Sequence, residues 1–146
     1  MKKSILLITL VLILSLPLSV TALAQVQARI RIIQASNTGT TVDESLRDVY
    51  RELGSLFNFT SYRLMKDLDL NLVGNKPQTV PLHGNRSLEV TLVGEYKKMA
   101  ELRLRIFRGG TTVLNTQVRL APGRTVIVGG PKHGDGVAIF AISAGF

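Results

Sequence analysis

The sequence predicts a strand-dominated α+β fold, an antiparallel sheet curled into a small sandwich or partly open barrel, with one amphipathic helix at about residues 42–57. Three observations carry this. Apolar and polar residues alternate along most of the chain after residue 25, and clusters of Gly, Asn and Pro punctuate those runs. One stretch alone repeats its apolar residues at three- and four-residue spacing.

Residues 1–24 stand apart from this pattern. Lys2 and Lys3 precede an apolar run from Ile5 to Leu16, Pro17 breaks it, and Ala22-Leu23-Ala24 has the small-x-small form of a cleavage site. The run is short for a bilayer span, which needs about 20 apolar residues. The segment is therefore read as a removable signal peptide of bacterial type. Residues 25–146 remain as a single β-rich domain working in the periplasm or outside the cell, with membrane contact only through the signal before cleavage. The chain has no cysteine. Disulfides, a lipid anchor at the cleavage site, thiolate metal sites and cysteine nucleophiles are thereby excluded.

Gln25 to Ala35 opens the domain as a strand, with Val26, Ala28, Ile30 and Ile32 on one face and Gln27, Arg29, Arg31 and Ile33 on the other. Ser36 to Thr40 is a polar turn. Thr41-Val42-Asp43-Glu44 then has capping-box form, a hydroxyl followed three residues later by a carboxylate. Leu46, Val49, Tyr50, Leu53, Leu56 and Phe57 continue it as the apolar stripe of a helix. On its polar side Asp48 is placed to pair with Arg51, and Arg47 with Asp43. Beyond Phe59 every segment reads as a strand or a turn. Tyr62, Leu64 and the run Leu68–Val73 come first, then Thr79–Leu82, Leu88–Leu92, Leu102–Ile106, Thr111–Leu120, Thr125–Val128 and Gly136–Ala144, about eight or nine strands in all. The connection from Gly94 to Met99 is compatible with a hairpin, and Gly129–Gly136, with four glycines, reads as a flexible hairpin loop.

The formal net charge is +8, two units of it from Lys2 and Lys3, and no block of five like charges occurs. A moderately basic surface of this kind favours anionic partners. Nucleic acid is not expected, because basic and aromatic residues are not interleaved in a binding motif. The sharpest ligand-binding candidates are Arg29, Arg31, Arg103, Arg105 and Arg119. They fall on outward strand faces, where guanidiniums bind carboxylate or phosphate bidentately, as on an anionic glycan or a lipid headgroup. Glu89, Glu95 and Glu101 are near enough in sequence to neutralise part of the row.

His83 and His133 are the only histidines, each in a glycine-containing turn, with Asp135 the one acid close in sequence to either. A metal centre or a histidine base needs more partners than that. Gly-x-Ser-x-Gly and His-Glu-x-x-His are both absent. No catalytic residue, metal or cofactor is therefore expected, and the chain is read as a non-enzyme.

The run Thr116 to Gly130, TQVRLAPGRTVIVGG, resembles the strand-turn-strand ending in Gly-Gly of the secretin family, the outer-membrane channel subunits of secretion and pilus systems; the likeness ends at Pro131. More broadly, the order of strand, single helix, Tyr62-bearing strand, Leu88-Glu89-Val90 and Gly-Gly ending resembles small exported bacterial proteins of unassigned activity. The expected role is an exported non-catalytic binding or assembly module, a small periplasmic component of an envelope or secretion complex with another envelope protein as partner. The alternative is an anion-recognition module working through the arginines.

Overall fold

The computed structural model describes residues 25–145; the signal peptide read from residues 1–24 lies outside them. Eight strands form the body: β1 (Gln25–Ser36), β2 (Ser61–Val73), β3 (Gln78–Leu82), β4 (Arg86–Tyr96), β5 (Met99–Arg108), β6 (Thr111–Leu120), β7 (Thr125–His133) and β8 (Gly136–Gly145). Between β1 and β2 a 3-10 turn, Glu44–Leu46, leads into α1 (Arg47–Leu56), the one α-helix among the described residues. The strands make two antiparallel four-stranded sheets, β2-β1-β8-β7 and β3-β4-β5-β6. They are stacked as a sandwich, not closed into a barrel. Residues at the two ends of the described chain pair directly, Gln27 opposite Gly145.

Alternation decides what lies between the sheets. Ala28 and Ile30 of β1, Leu88 and Val90 of β4, Leu102 and Leu104 of β5, and Phe140 and Ile142 of β8 are all essentially inaccessible and form one core. Burying each of these Val, Leu, Ile and Phe side chains contributes about 1.5–3 kcal/mol before the entropy of ordering it is counted. A strand with one apolar face needs no more than this. β1 and β8, however, are apolar on both faces, because they are central strands covered twice. Ile33, Ala35, Ile139 and Ala141 point away from the partner sheet and meet Leu46, Val49 and Leu53 of the helical segment in a second core. The helix therefore covers the outer face of one sheet.

The helix begins later than the capping-box reading placed it. Val42 forms a parallel bridge with Tyr62, and the Thr41 carbonyl accepts from both the Tyr62 amide and the Ser61 hydroxyl, at 3.0 Å each. Residues 41–43 are thus held extended. Asp43 becomes the cap instead, its carboxylate accepting from the Ser45 amide at 3.1 Å and hydroxyl at 2.7 Å. Those two hydrogen bonds, the hydroxyl first, hold the Asp43 carboxyl below the usual aspartate range. The expected pairs on the polar side also change: Arg47 bonds Glu44 and Asp48 reaches Arg31 on β1.

The expected loop over residues 129–136 is for the most part strand. β7 runs through Gly129, Gly130 and Pro131 to His133, leaving a short turn at Gly134 and Asp135. A bulge between Gly129 and Lys132 absorbs one extra residue. The glycine is required there by packing: a β-carbon on Gly130 would fall 2.5 Å from the Phe140 ring and 2.9 Å from the Ala138 carbonyl oxygen.

Candidate functional site

The two sheets split the five candidate arginines into two groups on opposite outer faces. Arg29 and Arg31 lie on β1 on the side that carries α1, whereas Arg103, Arg105 and Arg119 lie on β5 and β6 on the outer face of the other sheet. Four of the five are committed to carboxylates. Arg29 holds Asp67 in a bidentate pair at 2.8 and 2.6 Å, which raises the guanidinium and lowers the carboxyl pKa. Arg31 holds Asp48, Arg105 holds Glu89, and Arg119 holds Glu101 at 2.9 Å while lying 4.6 Å from the centre of the Tyr96 ring. Arg103 alone of the five makes no ion pair among the described residues. It borders a shallow polar depression with Arg105, Asn115 and Gln117.

Each sheet ends in two edge strands, and three of these four are guarded against further pairing. β2 is studded with Arg63, Lys66, Asp67 and Asp69; β3 is five residues long and contains Pro81; β7 is interrupted by its bulge and by Pro131. Charges, shortness, proline and bulges are the usual devices that blunt an edge. β6 differs. Among the described residues it pairs with β5 only; it runs for ten residues and carries one charged residue, Arg119. Its bulge falls near the start, between the pairs Ile106–Leu114 and Phe107–Thr112, so Leu114 to Leu120 continues in regular register. Leu114 and Val118 turn inward onto the core, while Asn115, Gln117 and Arg119 are exposed.

A third feature escaped the sequence reading. His83 and His133, treated there as isolated residues in separate turns, sit edge to face with ring centres 5.4 Å apart. The β3–β4 turn comes from one sheet and the β7–β8 turn from the other, and both close the same end of the sandwich. Arg86 fastens them together: its Nε donates to the His83 carbonyl at 3.1 Å and its Nη1 to the Lys132 carbonyl at 2.6 Å. Burial first, then the charges of Arg86, His83 and Arg63, push the His133 pKa below the ordinary histidine value. Among the described residues, three or more His, Cys, Asp or Glu side chains nowhere gather in a way that would hold a metal ion. A pair of glycine-flanked histidines was the only signal available, and it names no contact.

No protein-family model, curated protein sequence or solved structure matches the chain.

Proposed function

We propose that the protein is an exported, non-catalytic assembly module of the bacterial envelope, a small periplasmic component of an envelope or secretion complex, and that it accepts a strand of its partner on the free edge of β6. The observation that carries this reading is the contrast among the four edges. Three are blunted, whereas Leu114 to Leu120 leaves one side of its backbone unpaired by the fold with no proline and a single charge. Strand addition uses that row of amides and carbonyls for affinity and the alternate side chains for selectivity. The absence of cysteine suits an oxidising compartment in which stray thiols would be a liability.

Asn115→Lys combined with Gln117→Lys tests the proposal, because both side chains are exposed and lysine is the commonest edge guard. The expected result is loss of one discrete partner from envelope pull-downs, with the melting temperature held within about 2 °C. Wild-type capture should persist in 0.5 M salt, since main-chain pairing is little screened. Retention of the same partner by the double variant would contradict the reading.

Arg103 supports a second reading, recognition of an anionic glycan or lipid headgroup at the depression it borders. Binding of that kind would weaken steeply with salt and disappear in Arg103→Ser combined with Arg105→Ser.

A further inference from the structure

At the end of the sandwich closed by the two histidine-bearing turns, a cavity of about 330 Å³ enters between the sheets. Its floor is apolar, made by Ile32, Leu82, Pro131 and Ala138. Ile32 and Ala138 are the most exposed members of the inter-sheet core, at 6% each, so the cavity reaches the core itself. Both nearby bulges shape it: Met65 is the extra residue where β2 slips against β1, and Pro131 lies in the bulge of β7. Bulges next to sites re-aim side chains in this way.

The rim is wholly cationic or imidazole: Lys66, His83, Arg86 and His133, with no carboxylate among the lining residues. Everywhere else on the sheet faces the arginines discussed above are answered by acids, Arg103 excepted. Here Lys66 donates to the Pro81 carbonyl at 2.6 Å and Arg86 to the carbonyls of His83 and Lys132, neutral acceptors that fix both side chains without cancelling their charge. The groups around His133 repeat the pattern. Arg63 and Lys66 come from β2, His83 and Arg86 from the β3–β4 hairpin, and Lys132 precedes it; Asp135, on the tip of its own hairpin, does not line the cavity.

We propose that this cavity binds a small amphipathic anion, a short alkyl tail with one carboxylate head, the tail on the Ile32–Leu82–Ala138 floor and the head among His83, Arg86 and His133. The volume lies at the low end of the range for small-molecule sites, about 300–1,000 Å³, which admits one alkyl chain of up to about eight carbons. An apolar floor with a few convergent polar groups is the general form of such sites. The head supplies the negative charge that the rim lacks, so binding favours protonated imidazole and takes up a proton. None of the lining residues belongs to β5 or β6, so this proposal goes beyond the edge-strand reading and stands or falls independently of it.

Octanoate titrated into the purified protein, followed through the imidazole carbon-bound protons by NMR, is the test. The expected result is a saturable shift of both histidines, roughly three- to tenfold tighter at about pH 5.5 than at about pH 7.5, with octanol at least about tenfold weaker than octanoate. Leu82→Trp fills the floor and should abolish the shift. Should that variant lose its folded amide spectrum, Met65→Trp, at a half-exposed position on the cavity wall, serves instead. Absence of a saturable shift, equal affinity for octanol at both pH values, or undiminished octanoate binding by a folded plug variant would each overturn the proposal.

Discussion

Arg31 on β1 and Asp48 on α1 form a bidentate pair, Nη1 to Oδ1 and Nη2 to Oδ2, both at 2.8 Å, that pins the helix to the sheet through an arginine side chain only 3% exposed. Among the described residues the only other acceptor of Arg31 is the Ser45 carbonyl at 3.4 Å. The guanidinium is covered, whereas the Asp48 side chain keeps 59% of its surface. Truncating the acid therefore strands a buried cation. Asp48→Ala should cost about 1–2 kcal/mol, below the figure for a fully buried pair because water screens the carboxylate side. Replacing both partners, Arg31→Met with Asp48→Leu, should recover most of the loss in urea unfolding.

Acid should loosen the same contact. The Arg31 hydrogen bond holds the Asp48 carboxyl below the aspartate range, and Arg29 does the same for Asp67. A carboxyl whose folded pKa is depressed binds its proton more readily in the unfolded chain, so its stabilisation is present above the unfolded value of about 4 and is lost as pH falls through the folded one. Urea midpoints should decline slightly between about pH 7 and pH 5, where the unfolded chain protonates His133 more readily than the fold does, and drop more steeply below about pH 4. Asp48→Asn combined with Asp67→Asn should start lower and flatten that drop.

Tyr62 ties the far end of the helix down. Its hydroxyl donates to the Phe57 carbonyl at 3.2 Å and, at 3.4 Å, to the Leu53 carbonyl, acceptors at the helix C-terminus. Tyr62→Phe keeps the buried ring and removes only this tether. The expected cost is about 0.5–1.5 kcal/mol, with faster amide exchange confined to the last turn of α1.

The glycines separate by what a methyl group would meet. On Gly136 it would lie 1.7 Å from the Ala35 carbonyl oxygen, on Gly130 it would strike Phe140, and on Gly54, within α1, it would meet nothing within 4 Å. Gly136→Ala should prevent β8 from seating and Gly130→Ala should cost about 1–3 kcal/mol, whereas Gly54→Ala should stabilise by about 0.5–1 kcal/mol. Thermal melts of the three variants check the order.

Most strands were legible because their two faces differ. Val26, Ala28, Ile30 and Ile32 announce β1, and Leu102, Leu104 and Ile106 announce β5, since a period of two needs no knowledge of the partner. The helix was equally plain from its stripe. Its start was not, because the extended state of Thr41 to Asp43 comes from Tyr62, some twenty residues away. The chemistry of Gly129-Gly130-Pro131 reads locally as a loop, and only the Phe140 ring and the bulge explain it as strand. Sheet order was the larger gap: it sets Arg29 and Arg31 apart from Arg103, Arg105 and Arg119, and it brings His83 to His133 across fifty residues of sequence. Such meetings are decided by which faces bury together, and neither turn carries that information.

A photo-crosslinking residue placed at position 115 on β6, with position 69 on the charged β2 edge as control, probes the assembly surface most directly in intact cells. Assembly through β6 predicts a single discrete adduct from position 115, insensitive to salt during purification, and none from position 69. Equal labelling from the two edges, or none from β6, would contradict it.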